Sequence, residues 1–565
     1  MKKQLFLAVL LLTAFTGLTE GQRMTADTPQ ELYIKGNIAT AGTTLPYVGD
    51  GRYSGEVTLD DSRVFLFSDK YIYFAFNNDE EQAIRRKPGT RTQLAFAAEG
   101  EQGENIRING GTYTFTVDTQ KRTWDVSAPI DEYKISAFGS SVCNGQGAKD
   151  NKGYAYLYGQ QLEKRYADGI SENPFHVSGV AIGGNTTRNL LDRYDEMQHD
   201  FSRYVIIGLS MGNEGVHEAT DKQAIVKQFS NNMTTLIRKM KAEGKIPVVM
   251  NNYTRGDFTA EDYAAIKEMN LLIHGWDVAS VNTLGAIDDG KGHWASGYQQ
   301  DNAHPTTNGH VEFFNAMPPS LFDAIASGKS QPVRNLEQQM SLSDGNTIRM
   351  RGEGTVHPFT ISVRVKGRQA GQLFSYKFST GSYSGQVYVD EDGHVVYNNY
   401  RNKKITSTAT LSDDEWHMVT LTHYYAQVRT LLYLDGQPAG EILERVTGLG
   451  DITLGDAENR EVSRQLSEIF MWRAGMTPEE VEAVSKGEML KSSLEVYVPT
   501  VSAESLSNLA MSLNNVEYVP ASATTVSLPV KQLTAATDTC DLLGRRMGRG
   551  YKGVRIVNGR KVIKR

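Results

Sequence analysis

The spacing of apolar and polar residues divides the chain into three zones. Between 28 and 130 the runs are short and alternate every second residue. Segments 31–35, 55–59, 63–67, 71–75, 112–117 and 123–126 are separated by Gly, Asp and Asn. Period-two alternation with such breaks predicts strands and a small β-sandwich. From 131 to about 330 strand-like runs at 133–138, 204–209, 246–250 and 271–274 alternate with helical patterns at 154–165 and 221–243 and with a helix opening near 259. In the second helix Ile225, Phe229, Met233, Leu236 and Met240 fall on one face. Thr259 and Asp262 have the spacing of a capping box for the third, expected to end near 269, and a last helix within 308–327 is interrupted at Pro318-Pro319. Strands alternating with helices predict a parallel sheet covered on both faces, a three-layer α/β domain. After a polar linker at 331–335, strands return at 359–365, 372–376, 385–389, 394–397, 417–422, 430–434 and 469–473, with a helix start at Thr477-Pro478. Long strands joined by tight turns predict a C-terminal jelly-roll β-sandwich over 336–490. Residues 499–565 are Ser/Thr-rich, then basic, and read as a separate tail.

A length of 565 residues fits three or four domains rather than one core. The net charge is −7, and no basic stripe precedes the last thirty residues, so nucleic acid is not an expected partner. Residues 1–22 have a charged start, an apolar run at 5–15 and small or polar residues after it, the pattern of a secretory signal peptide. No Cys follows that run, so a lipid anchor is not indicated, and no other stretch has the length and hydropathy of a membrane span. The protein is therefore expected to be exported, to the periplasm, the cell surface or beyond. Cys143 and Cys540 could be oxidised in an exported protein, but one widely separated pair is not a disulfide framework, and Cys143 is read as a packing residue.

Within 131–330 four short blocks carry chemistry. Gly139-Ser140-Ser141 ends the first strand and can hold a hydroxyl at the rim of the sheet, where a nucleophile must sit. Gly183-Gly184 makes a turn in which a backbone N–H can approach a ligand closely. Gly212-Asn213-Glu214 follows the second strand and can aim the Asn213 amide into the same cleft. Asp301-Asn302-Ala303-His304-Pro305 places a carboxylate and an imidazole three residues apart. A serine hydrolase needs a nucleophile, a base, a group that orients the base, and donors for an oxyanion.

This order of blocks resembles the SGNH (GDSL-like) hydrolases, with their G-D-S, glycine turn, G-x-N-D and D-x-x-H-P motifs. The resemblance implies Ser141 as nucleophile, His304 as general base and then acid, and Asp301 as its orienting partner. Ser141, Gly184 and Asn213 would form the oxyanion hole. No cofactor or metal is implied at the site. Three positions depart from the pattern. Ser140 replaces Asp and competes for the nucleophile's role, Met211 replaces Gly and bears on access, and Glu214 replaces Asp. His417 also has an Asp three residues before it, but no Pro after it. Glu214 and Asp195 are read as solvated or structural.

The flanks carry resemblances too. "DDEWHMVTLTHY", "LLYLDGQPAG" and "IFMWRAGMTPEEVEAV" resemble the laminin-G/concanavalin-A-like superfamily, whose members often bind glycans; Trp416 and Trp472 are read as core. "LYIKGNIA" and "GRYSGEVTL" resemble modules of Bacteroidetes starch-binding proteins, so Tyr53, Tyr71 and Tyr73 are candidate sugar contacts. "TDTCDLLGRRMGRGYKGVRIVNGRKVIKR" resembles C-terminal tails of secreted Bacteroidetes proteins, some of them type IX secretion signals; a plain β-hairpin module is the other reading. The expected protein is an exported serine esterase acting on acyl, chiefly acetyl, esters of a polysaccharide or oligosaccharide. The alternatives are a lipid acylhydrolase, or a glycan-binding surface protein with an inactive esterase domain.

Overall fold

The computed structural model describes residues 30–34, 43–59, 72–76, 80–86, 93–96, 111–381, 383–412, 415–500, 502–521, 539–540, 553–557 and 560–564. The expected signal peptide, the strand expected at 63–67 and the Tyr71 and Tyr73 side chains lie outside the described residues. Among the described residues no helix is long and apolar enough to cross a membrane. The chain divides into two compact units, which meet between Tyr518 and Val519.

The N-terminal region of the first unit is a single path of eight antiparallel strands. Its ends meet where Gln93 bridges Thr123, so the sheet curls around its own core. That core holds Leu32, Leu45, Tyr53, Phe115, Val117 and Trp124. Tyr53 is fully buried there and offers no face to a sugar.

The central domain has five parallel strands: β1 (Asp131–Gly139), β2 (His176–Gly179), β3 (Ser202–Gly208), β4 (Ile246–Met250) and β5 (Ala279–Val281). Their order is β2-β1-β3-β4-β5. The chain reverses its direction of growth between β1 and β3, and ligands in such sheets bind at the carboxyl ends at that point. Successive side chains feed two cores. Ile135 and Ala137 of β1 and Ile206 of β3 pack on one face with α1 (Tyr154–Ala167) and α4 (Thr307–Asn315). Phe138, Val205 and Ile207 pack on the other with α2 (Lys222–Ala242) and α3 (Ala260–Gly275). The expected capping box forms, with the Thr259 side chain accepting from the Asp262 N–H. The strand expected at 271–274 is instead the last turn of α3. Ile266, Met269 and Ile273 repeat at helical spacing into one core. Asn270, which reads as a breaker, is buried and exchanges hydrogen bonds of 2.9 Å with the backbone of Asn252.

Two antiparallel sheets of seven strands each follow. Phe359, Ile361 and Leu421 of one and Phe374, Tyr397 and Ile452 of the other share one core. Trp472 is fully buried and stacked on Phe470 with ring centroids 5.0 Å apart. Trp416 is half-buried under the Arg364 guanidinium. The linker is pinned rather than loose, since Arg334 Nε lies 3.0 Å from both oxygens of Glu468. The strand Leu494–Pro499 pairs with Arg464–Trp472, and Leu506, Val516 and Tyr518 pack against the sandwich core. Residues 499–518 therefore belong to the first unit, not to the tail. The second unit contains a sheet of three strands, Thr539–Cys540, Gly553–Val557 and Arg560–Lys564.

The two flanking regions meet the parallel sheet at different places. The N-terminal region touches residues just before β3: Trp124 lies 5.3 Å from His199 between ring centroids, and Tyr113 5.7 Å from Phe201. The sandwich packs along β5, including its carboxyl end and that of β4, through apolar contacts of Met511 and Leu271 and through buried hydrogen bonds. Ser492 Oγ donates to Asn251 Oδ1 at 3.2 Å, Asn282 N–H to Ser493 Oγ at 2.8 Å, and Asn282 Nδ2 to Glu480 Oε1 at 2.8 Å. His274 accepts from the Ser492 N–H at Nδ1, so its Nε2 donates to Glu480 at 2.9 Å. All six hydrogen-bonded residues are buried.

Candidate active site

Strand β1 runs directly into the site. Gly139 is paired with Gly208 of β3, and a Cβ at Gly139 would be driven into the Gly208 carbonyl. The two strands can therefore close up where they end. The Ser140 N–H donates to Gly208 O at 3.0 Å, and the turn closes as Gln146 N–H donates to Ser141 O at 2.9 Å. Ser140 and Ser141 point in different directions. Ser140 is 0% exposed, sealed beneath the turn, which removes it as a competing nucleophile. Ser141 Oγ lies 2.9 Å from His304 Nε2.

His304 reaches Ser141 from the loop before α4. Its Nδ1 is 2.9 Å from both Oδ1 and Oδ2 of Asp301. A carboxylate only accepts, so Nδ1 carries the proton and the neutral ring offers Nε2 as acceptor to the Ser141 hydroxyl. Asp301 also accepts the N–H groups of Ala303 and His304, at 2.8 and 2.9 Å, so the loop is wound around the carboxylate. Partial burial raises the Asp301 carboxyl, but the His304 hydrogen bond and these backbone donors outweigh it and hold it below its usual value.

Two further blocks converge on Ser141. Ile182 N–H donates to Gly139 O at 3.0 Å and brings the glycine turn over the end of β1. Gly184 has φ +74°, a left-handed conformation that favours glycine. A Cβ at Gly183 would stand 3.7 Å from Ser141 Cβ. Asn213 Nδ2 donates to Asn185 O at 3.1 Å, so its amide lies against this turn. All the residues expected at the site are thus brought together.

The departures resolve as follows. The Met211 side chain is fully buried in the core between β3 and α2; its N–H donates to Asn252 Oδ1 at 2.8 Å and its carbonyl accepts from the Glu214 and Val216 N–H groups. It does not narrow the cleft. Glu214 Oε1 accepts the Thr187 N–H at the start of the helix Thr187–Asp192, a structural contact. Asp195 lies in the first turn of the helix Tyr194–Gln198. His417 pairs with Asp435 at 2.8 Å and with Ser412, inside the sandwich. Cys143 is buried in the core under the turn, beside Tyr154. Among the described residues no cluster of His, Cys, Asp or Glu stands ready for a metal ion.

Two supporting residues escaped the sequence reading. Buried Arg193 donates through Nε to Asn185 Oδ1 at 2.6 Å, with Nη2 3.5 Å from Gly139 O, and stacks 4.8 Å over Phe138. It ties the glycine turn to the end of β1. His310 of α4 accepts the Tyr154 N–H at 3.3 Å and donates to Gln146 O at 2.9 Å, clamping the far side of the Ser141 turn. Burial drives its pKa down to about 4 against the opposing effect of the Gln146 bond, so it is neutral. No motif spacing marks either residue. Each acts on backbone atoms far away in sequence.

Residues 137–311 match the model of the GDSL-like Lipase/Acylhydrolase family. No curated protein matches the chain. Among solved structures, the chain resembles a catalytic mutant of an acetylxylan esterase from Geobacillus stearothermophilus at 16% identity and TM-score 0.27, over 34% of this chain and 93% of that one. It also resembles a heptameric pentraxin from Limulus polyphemus at 18% and 0.25, over 33% and 97%. Domains LG4-5 of the mouse laminin α1 chain align at 14% and 0.21, over 26% and 46%. The chain thus carries a GDSL-like lipase/acylhydrolase domain over residues 137–311, set between β-rich regions.

Proposed function

We propose that the protein is an exported serine esterase that removes acyl groups, chiefly acetyl, from a carbohydrate. The observation that carries the esterase reading is the unbroken relay from Asp301 through His304 to Ser141, each step 2.9 Å. His304 takes the Ser141 proton as Oγ attacks the ester carbonyl, and the C–O bond to the alcohol breaks as the imidazolium returns that proton to the leaving oxygen. Water, deprotonated by His304, then releases the acid and restores Ser141. The N–H groups of Ser141 and Gly184 and the free hydrogen of the Asn213 amide hold the oxyanion. Asp301 keeps Nδ1 protonated and favours the imidazolium that forms in each half-reaction.

Carbohydrate as the alcohol is supported by the sandwich packed beside the carboxyl ends of β4 and β5, where a polymer could cross from one region to the other. Export is supported by the character of residues 1–22, and the tail from 519 onward is a candidate contact for secretion machinery. The direct test is hydrolysis of 4-nitrophenyl acetate by wild type and Ser141→Ala, followed by acetate release from acetylated xylan. A wild-type rate that Ser141→Ala matches would sink Ser141 as nucleophile. Fatty-acid release from lipid esters without acetate release from xylan would favour a lipid acylhydrolase.

A further inference from the structure

The segment after β4 crosses the carboxyl ends of the strands and carries an arginine that the esterase chemistry above does not use. Tyr253 turns inward and stacks on Trp294 with ring centroids 5.7 Å apart. Arg255 turns toward the oxyanion block. A Cβ at Gly212 would lie 2.7 Å from Arg255 Nη1, so the guanidinium occupies the space of the absent side chain, one residue from Asn213. On its other side Gly256 N–H donates to Asn302 O at 2.8 Å, one residue from Asp301. The Arg255-Gly256 pair therefore links the Asn213 loop to the Asp301–His304 loop.

Its charge is incompletely met. Asp257 approaches Nε at 3.3 Å and Nη2 at 3.4 Å, longer than the roughly 2.7–2.9 Å of a strong charge-assisted pair. Among the described residues Nη1 has no hydrogen-bond acceptor, and 19% of the side chain remains accessible. A guanidinium stays charged at all working pH values and presents a planar fork that matches a carboxylate. A half-buried charge one residue from Asn213, with Nη1 left over, is suited to an anion carried by the substrate.

We propose that Arg255 binds a carboxylate of the sugar that carries the ester, so that the preferred substrate is an O-acylated acidic sugar of the uronic or sialic type. This rests on the esterase reading. The test measures kcat/KM on O-acetylated N-acetylneuraminic acid, O-acetylated oligogalacturonate, acetylated xylo-oligosaccharide and 4-nitrophenyl acetate. Wild type should favour one of the acidic sugars over the neutral ones. Arg255→Met should lower that preference by about tenfold or more, mainly through KM, and Arg255→Lys should fall between. The two acidic sugars separate a uronic from a sialic carboxylate. Gly212→Ala, which displaces the guanidinium without removing it, should lower the same ratio and carries the test if Arg255→Met melts early by circular dichroism. An equal fall on acidic and neutral esters, an unchanged ratio, or a wild-type preference for neutral sugars would overturn the assignment while leaving the esterase intact. A wild type that hydrolyses none of the four would overturn both.

Discussion

Asn213 shows how much a single residue here depends on its neighbours. One hydrogen of its amide is committed to Asn185 O at 3.1 Å, which leaves the other for a developing oxyanion. Replacing it with alanine should cut kcat on the order of a hundredfold, about 3 kcal/mol of barrier, with little change in KM, as read by steady-state kinetics. His310 is the second residue whose effect has a definite sign. Its folded pKa of about 4 lies below the ordinary value of 6.5. The stability it contributes is thus complete above 6.5 and is lost as pH falls from there toward 4. In urea unfolding, the stability of wild type relative to His310→Gln should therefore decline over that window, by about 3 kcal/mol at most. The site residues were legible in the sequence because each block is local: a strand end, a glycine turn, an Asp three residues before a His. Ser140 and Met211 were left open because exposure is not local. Both are decided by which core the side chain enters, and both are buried.

Elements, rather than residues, set the distance between Ser141 and the Asn213 block. The pairing of Gly139 with Gly208 lets β1 and β3 run side by side to the point where their loops part. Gly139→Ala forces a methyl into the opposing carbonyl, so β1 must withdraw. The expected result is a drop of several degrees in melting temperature together with loss of esterase activity beyond that caused by the lower stability. Helix spacing and capping made most of the central domain readable in advance. The strand expected at 271–274 failed because Leu-Leu-Ile fits either period, and the buried side chain of Asn270, bonded to a strand distant in sequence, imitates a stop. The short strands β2 and β5 carried too few residues for any pattern to show.

At the scale of the molecule, the flanking regions are not equivalent. Cutting the chain before 336 would expose Asn251, His274 and Asn282 and strip each of its sandwich partners. Interior polar groups that lose their partners cost about 1–3 kcal/mol each where water cannot replace them. Such a fragment is expected in the insoluble fraction, or molten by near-ultraviolet circular dichroism. Removing the residues before 130 instead disturbs the amino ends of the strands, and kcat/KM should stay within about threefold of the full chain. No sequence pattern announced this asymmetry, because it is carried by single polar residues such as Ser492, Asn282 and His274, the last of them expected at the end of a strand. Within the first unit the N-terminal region lies at the amino end of β3, and Ser141 follows the carboxyl end of β1. A bead or surface coupled through the N-terminal region should hold a fully working enzyme with its cleft facing the solution. Coupling through the sandwich would bring the support up to the side of the cleft, where long chains would be obstructed before small esters.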